Sequence, residues 1–205
     1  MTSIWLAPRP LLLASKSQAR RSLLAAAGIP FEAMAAAIDE RAAEAPLRAA
    51  EAGGDVIARH LAREKALAVS RDLPDRLVLG ADQTLSLEGV ILNKPRDREA
   101  AKAQLMAMSG RTHTLHAALC LAQDGKVVAR DDEAAHLTFR PLTSDFIECY
   151  LDLAGESVLQ SVGAYALEGL GIHLFESIEG AHSTILGLPM LPLLRLLREI
   201  GCVGT

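Results

Sequence analysis

The chain has 205 residues, half of them apolar and 22% charged, which suits one soluble domain or one domain of two lobes. A net charge of -4 and only 3% aromatic residues exclude a basic nucleic-acid binder and a stacking surface for single strands. No apolar run reaches the roughly 20 residues of a membrane helix, so neither nucleic acid nor a membrane is expected as a partner.

Strands and helices alternate in the first 82 residues. Continuous apolar runs predict strands, and apolar residues at helical spacing predict helices. The predicted order is a strand over 11–14, a helix over 18–27, a strand over 31–38, a helix over 55–70 and a strand over 76–82. Gly28 ends the first helix as a C-cap. The polar, alanine-rich passage 39–54 is predicted to be a loop with no more than a helical turn.

Strands dominate the middle of the chain. The predicted elements are a hairpin over 85–92, a helix from Asp97 to 108, two paired strands over 112–122 and 126–140, a helix over 143–152 and a last helix within 188–201. Residues 161–180 are rich in glycine. This order predicts an α/β or α+β fold around a mixed sheet. No repeat or linker marks a boundary, so residues 1–205 are predicted to form a single domain.

The cysteines and the amino terminus indicate the compartment. Cys120, Cys149 and Cys202 are odd in number and lack metal-binding spacing, which predicts reduced thiols in a cytoplasmic protein rather than disulfides or a zinc site. The apolar run near the amino end is interrupted by Pro-Arg-Pro at 8–10, so no secretory signal is expected.

The first candidate site is the stretch LLLASKSQARRSLL, residues 11–24, where a strand turns into a helix. Such a turn leaves backbone N–H groups free at the helix start, and these attract anions. Ser15 and Ser17 add hydroxyl donors, and Lys16, Arg20 and Arg21 could add positive charge. The alternative is that Ser17 only caps the helix and the basic residues form a solvated surface.

The second candidate site is GADQT, residues 80–84, in which Asp82 ends a predicted buried strand. Ligands collect at strand ends in α/β sheets, and a carboxylate there suits a divalent metal ion. Lys94 follows the hairpin and could return beside Asp82, while Asp39 and Glu40 offer a second acidic pair. The alternative is an aspartate that solvates a turn and a lysine on a loop.

Two other chemistries find little support in the sequence. His113 and His116 lie three apart on a predicted strand and so point to opposite faces, and the remaining histidines stand singly. A histidine metal site is therefore not expected. No Gly-x-Ser-x-Gly sequence is present, which argues against a Ser–His–Asp hydrolase.

Eight motifs together resemble one known family over nearly the whole chain. In order they are LLLASKSQARRSLL, AIDE, LAREKA, GADQT, NKP, MSGRTH, GAYALEGLG and IEGAHSTILGLP. Their order and spacing are similar to those of the Maf family of nucleoside triphosphate pyrophosphatases. The resemblance implies a mixed-sheet fold of two lobes around a central cleft, shared with the inosine triphosphatases, and hydrolysis of a nucleoside triphosphate to a monophosphate and pyrophosphate.

The resemblance also implies roles for individual residues, position by position. The resemblance places Ser15, Arg20, Lys65 and Lys94 in the phosphate site. It also makes Lys94 one of the catalytic residues. Glu40 and Asp82 are the acidic pair that handles a metal ion, Mg²⁺ or Mn²⁺, and the attacking water. Because an unperturbed aspartate has a pKa of about 3.9, Asp82 is expected to orient a metal-activated water at least as much as it takes the proton.

At several positions the sequence departs from the family pattern, and these positions concern which nucleotide base is preferred. The branch that takes dTTP and UTP carries Arg, Thr, Lys and Gln where this chain has Ala19, Gln83, Ser161 and Glu168. Gln83 and Glu168 instead resemble the branch that acts on 7-methyl-GTP, which implies substrate-binding roles for both. Ala19 lacks the tryptophan that could stack on a methylated base. We therefore favour a modified or purine nucleotide over dTTP and UTP, and the preferred base stays open.

A nucleotide-sensing regulator of cell division is the alternative function, because the family was first associated with arrested septum formation. A pure binder would need the phosphate site but not Asp82, Glu40 and a metal ion. The carboxylates therefore favour an enzyme that clears modified or non-standard nucleotides. The apolar last helix is compatible with a homodimer.

Overall fold

The computed structural model describes residues 4–204. Within that range the seven strands are β1 Leu11–Leu13, β2 Phe31–Ala33, β3 Val78–Leu87, β4 Val90–Leu92, β5 Thr112–Gln123, β6 Lys126–Phe139 and β7 Phe175–Glu179. The helices are α1 Gln18–Ala26, α2 Glu40–Ala49, α3 Gly54–Asp72, α4 Arg98–Met108, α5 Ser144–Ala154, α6 His182–Ile185 and α7 Met190–Glu199. Three 3₁₀ segments add Gly155–Gln160, Val162–Ala164 and Leu170–Leu174.

The strands form one mixed sheet, as predicted. Their order is β2-β1-β3-β5-β6-β7, and β4 pairs with β3. Strand β1 runs parallel to β2 and β3, whereas β4 is antiparallel to β3 and β7 to β6. In residues 4–204 no helix is both long and apolar enough to cross a membrane.

The chain divides into two compact units. The first unit takes in the chain up to Gln83, Ala117–Glu133 and the chain from His182 onward, and the second takes in Thr84–His116 and Ala134–Ala181. Whether the two units act as one domain, as the sequence predicts, stays a prediction.

The first unit packs its sheet between unlike layers. On one face, here called the leucine face, large side chains of β1, β3 and β5 pack with those of α1 and α7: Leu11, Leu13, Leu24, Leu79, Leu119, Leu121, Leu193, Leu196 and Leu197. The other face, here called the alanine face, packs helix α3 on β5 mainly through small residues, together with Leu67: Ala58, Ala62, Ala66, Ala118, Cys120 and Ala122. Small side chains let the backbone of α3 lie close to the sheet.

Two predictions between residues 31 and 54 are wrong. Strand β2 stops at Ala33 instead of 38, because the alanines that follow have little tendency to stay in an edge strand. The passage 39–54 holds a full helix, α2, instead of a loop. Asp39 caps this helix by accepting a hydrogen bond from the backbone N–H of Ala42, and Glu40 lies in its first turn. Alanine content and a capping aspartate favour the helix over a loop.

Strand β3 is longer than predicted, and Asp82 lies in its middle instead of at its end. The strand continues because residues 85–87 pair with β4 across a turn at Glu88 and Gly89, whose φ angles of 50° and 84° are positive. Strand β1 has already ended at Leu13, so the turn after β1 still brings the phosphate-site motif beside β3. Two short elements, β7 and α6, were not predicted at all.

The second unit contains a cluster of aromatic rings around His113. The ring packs against Phe139, Tyr165 and Phe175 with centroids 5.1 to 6.2 Å apart. Its Nε2 atom shares a 2.8 Å hydrogen bond with the hydroxyl of Tyr165. Burial lowers the pKa of His113 to about 4, so this histidine is neutral at physiological pH.

Candidate active site

The turn from β1 into α1 forms the first part of the site. Strand β1 pairs with β3 through Leu13 and Leu79, and the chain then enters α1 through Ser15 and Ser17. The Ser17 hydroxyl caps the helix by accepting a 3.4 Å hydrogen bond from the backbone N–H of Arg20. The predicted strand-turn-helix is confirmed, and Ser17 serves as its N-cap.

Three charged side chains from α2, α3 and β3 meet in the first unit. The ammonium of Lys65 donates to Oδ1 of Asp82 at 2.5 Å and lies 2.9 Å from Oε1 of Glu40. Asp82 and Lys65 are only 7% and 8% exposed, whereas Glu40 is exposed. A buried lysine thus holds two carboxylates around one cation.

Burial sets the protonation behaviour of this cluster. Loss of solvation raises the pKa of Asp82 above its ordinary value, and the opposing charges of Lys65 and Arg20 reduce that rise without cancelling it. The carboxylate is therefore a better proton acceptor than an exposed aspartate. Burial likewise lowers the pKa of Arg20, with Asp82 and Glu40 acting against it.

Arg20 lies behind the turn with its guanidinium buried. Its Nε donates to the carbonyl oxygen of Gly187 at 2.8 Å, and its Nη1 donates to the carbonyl oxygen of Ala81 at 2.8 Å and to Ser15 Oγ at 3.2 Å. Hydrogen bonds within the chain thus hold this predicted residue at the site.

The side chain of Gln83, like that of Arg20, donates hydrogen bonds to backbone carbonyl oxygens. Its side-chain nitrogen donates to the carbonyl oxygens of Thr184 and Ile185 in α6, at 2.9 and 3.1 Å. The Thr184 hydroxyl in turn donates to the carboxylate of Glu133 on β6. Sequence reasoning assigned no role to Thr184 or Gly187, although the motif IEGAHSTILGLP that contains them was part of the resemblance.

Two predicted site residues belong to the second unit. Lys94 is exposed in the loop after β4, next to Asn93, whose carbonyl oxygen accepts a 2.8 Å hydrogen bond from Gln104. Glu168 is exposed in a turn between two 3₁₀ segments. The structure gathers Ser15, Arg20, Glu40, Lys65 and Asp82 in the first unit. Their roles, like those of Lys94 and Glu168, stay predictions.

The acidic pair fits a hard divalent cation. Asp82 and Glu40 each direct one carboxylate oxygen at the same ammonium, so both oxygens can serve one positive centre. Mg²⁺ commonly binds through one or two carboxylates and completes its shell with water and substrate phosphates. No group of three or more His, Cys, Asp or Glu side chains suited to a metal ion occurs within residues 4–204.

A hydroxyl-bearing turn at a helix start, beside a buried carboxylate and lysine, is typical of α/β proteins that bind phosphorylated ligands. The family described as Maf-like protein matches residues 10–200, and the chain belongs to that family. The resemblance predicted from the eight motifs is thereby confirmed.

Curated relatives cover nearly the whole chain. It is 54% identical over 201 residues to the nucleoside triphosphate pyrophosphatase of Rhodopseudomonas palustris (strain BisB18), with 96% of each chain covered. It is 54% identical over 193 residues to the 7-methyl-GTP pyrophosphatase of Rhizobium johnstonii, with 94% of this chain and 97% of the relative covered. The 7-methyl-GTP pyrophosphatase of Rhizobium meliloti (strain 1021) is 52% identical over 195 residues, with 95% and 98% covered.

Proposed function

We propose that this member of the Maf family hydrolyses nucleoside triphosphates to the nucleoside monophosphate and pyrophosphate. The single observation that carries the proposal is the buried Lys65, which binds both Asp82 and Glu40, while Arg20 links the turn at Ser15 to the residue before Asp82. The names of the curated relatives support the same reaction. A nucleotide sensor without turnover would not need the two carboxylates, so the enzyme is the favoured reading.

The reaction follows from this arrangement. Water attacks the α-phosphorus, the bond from that phosphorus to the bridging oxygen breaks, and pyrophosphate leaves with the bonding electrons. Asp82, whose pKa is raised by burial, accepts a proton from the attacking water. The Ser15 hydroxyl and the positive charge of Lys65 hold the phosphates, and Lys94 is assigned a catalytic role at the same polyanion by the family resemblance.

A divalent ion held by Glu40 and Asp82 would neutralise the charge that develops on the phosphates. Mg²⁺ or Mn²⁺ suits an all-oxygen donor set. Glu40 and Asp82 would hold the ion together, because their contacts with Lys65 keep the two carboxylates close to each other.

The test is to measure pyrophosphate and monophosphate release from GTP, 7-methyl-GTP, dTTP and UTP with the purified chain. We expect release with Mg²⁺ or Mn²⁺, loss of release with excess EDTA, and recovery when the ion is restored. Binding of nucleotides without any release, with either ion present, would establish the sensor instead.

Glu168 is proposed to read the base. A carboxylate can accept hydrogen bonds from the N1–H and amino groups of guanine. We expect Glu168→Gln to shift the ratio of kcat/KM between 7-methyl-GTP and UTP by about 10-fold, because the loss of one hydrogen bond to a charged group has an effect of that size. Its dependence on Mg²⁺ should stay as in the natural chain. An unchanged ratio would remove Glu168 from base recognition.

A cytoplasmic location and a role in clearing modified nucleotides complete the proposal. The three cysteines are free thiols, with Cys120 buried and Cys149 exposed. Free thiols suit a reducing compartment. A homodimer stays a prediction.

A further inference from the structure

We propose that Arg20 and Gln83 are positioning residues, which fix Asp82 by tying both of its peptide neighbours to the segment Thr184–Gly187. The proposal rests on the pyrophosphatase reaction above and gives these two residues a role other than direct contact with phosphate or base. Ala81 precedes Asp82 and is held through Arg20, and Gln83 follows Asp82 and is held directly.

Arg20 supplies a hydrogen-bond donor to β3 beyond the point where strand β1 ends. Backbone N–H groups of β1 and the following residue donate to the carbonyl oxygens of Leu77 and Leu79, at 2.9 and 2.8 Å. The next acceptor in that series is the carbonyl oxygen of Ala81, and Nη1 of Arg20 occupies it at 2.8 Å. Without that donor a buried carbonyl beside Asp82 would lose its partner, which proteins rarely tolerate.

Gln83 points away from the carboxylate that it follows. Successive side chains of a strand lie on opposite faces. Asp82 meets Lys65 of α3 on the alanine face, whereas Ala81, two residues before Gln83, belongs to the leucine face. Gln83 therefore reaches α6 from the face opposite Asp82. Both hydrogens of its amide are engaged by the carbonyl oxygens of Thr184 and Ile185.

The segment Thr184–Gly187 has an anchor of its own and can therefore serve as a fixed support. The Thr184 side chain is fully buried and bonds to Glu133 on β6. Gly187 has a φ of +89°, and a Cβ atom there would lie 3.4 Å from Oε1 of Gln83 and 3.5 Å from Nη2 of Arg20. The side chains of Gln83 and Arg20 thus pack directly on Gly187, whose carbonyl oxygen accepts the hydrogen bond from Arg20.

The test uses Gln83→Met and Gln83→Glu, which keep the length of the side chain but remove both amide donors. Misplaced catalytic groups reduce rates by up to about 100-fold. We expect kcat to fall by about 10- to 100-fold in both variants, with KM and the ratio of kcat/KM between 7-methyl-GTP and UTP each within about 2-fold of the natural chain. Gln160→Glu, at an exposed position, is the matched control for the added charge and should leave all three quantities unchanged.

Other outcomes would overturn the proposal. A changed ratio between nucleotides would show that Gln83 reads the base. An unchanged kcat per folded molecule with a lower Tm would show a purely structural role, and loss of kcat in Gln83→Glu alone would show an effect of charge. Absence of pyrophosphate release in the unaltered chain would instead reject the proposed function.

A double-mutant cycle tests whether the two residues act on one segment. Arg20→Lys keeps the positive charge but loses the forked donor that spans Gly187 and Ala81. We expect this variant to lower kcat more than it raises KM, and its effect to be less than additive with Gln83→Met. A raised KM with unchanged kcat, or full additivity, would contradict joint positioning.

Discussion

Replacing Asp82 with asparagine is expected to reduce pyrophosphate release by about 10²- to 10⁴-fold, the range attributed to a general base. Asparagine keeps the shape of the side chain and an oxygen for the ammonium of Lys65, now 2.5 Å from Asp82. It also removes a charge whose burial is unfavourable, as the raised pKa of Asp82 shows. The variant should therefore stay folded, with an unfolding midpoint close to that of the natural chain.

The control for this experiment is Asp72→Asn. Asp72 is exposed at the last residue of α3, the helix that carries Lys65. The substitution removes the same charge from the first unit but should leave turnover unchanged. Turnover of Asp82→Asn within about 2-fold of the natural rate would remove Asp82 from the chemistry, since a lost base costs at least 100-fold.

Replacing Gly80 with alanine is expected to give the largest loss of stability. A Cβ atom at this position would meet the carbonyl oxygen of Ala62 at less than contact distance and the backbone nitrogen of Ala66 at 2.6 Å. Both atoms belong to the backbone of α3 and cannot turn aside. Either α3 or β3 must shift, at a cost of about 3 kcal/mol, near the upper end for overpacking.

Urea unfolding of Gly80→Ala measures this cost directly. Gly204→Ala is the matched control, because no atom lies within 4 Å of a Cβ atom there and its φ is not positive. The control should change the free energy of unfolding by less than about 0.5 kcal/mol. Equal stability of the two variants would show that α3 does not rest on Gly80.

Most of the fold followed from periodicity and turn residues. The long helices α3 and α7 and the paired strands β5 and β6 were predicted within a few residues, because each has a long apolar pattern bounded by caps or turns. Helix α2 was missed because its apolar side is made mostly of alanines and none of its residues is buried, so the passage looked like a polar loop. Strand β7 and helix α6 are five and four residues long and follow a glycine-rich passage, so neither shows a period of its own.

The site was predicted less completely than the fold. Asp82 and Glu40 were candidates from their place in the sequence, Lys65 was named from the family resemblance, and the structure joins the three through one ammonium. The hydrogen bonds from Arg20 to backbone carbonyls could not be predicted, because carbonyl groups leave no mark in the residue types. Thr184 was missed for the same reason, since its carbonyl oxygen is what Gln83 binds.

The unlike faces of the first unit have unequal tolerance for sequence change. On the leucine face, branched side chains of similar volume can exchange and repack with little effect on the backbone. On the alanine face small side chains and Gly80 set the spacing between α3 and the sheet, so a larger residue at the contact would push against the backbone of the helix that carries Lys65. Exchange among apolar residues of equal volume can therefore alter the leucine face without affecting the site, whereas enlargement on the alanine face acts on the helix that positions one ammonium group.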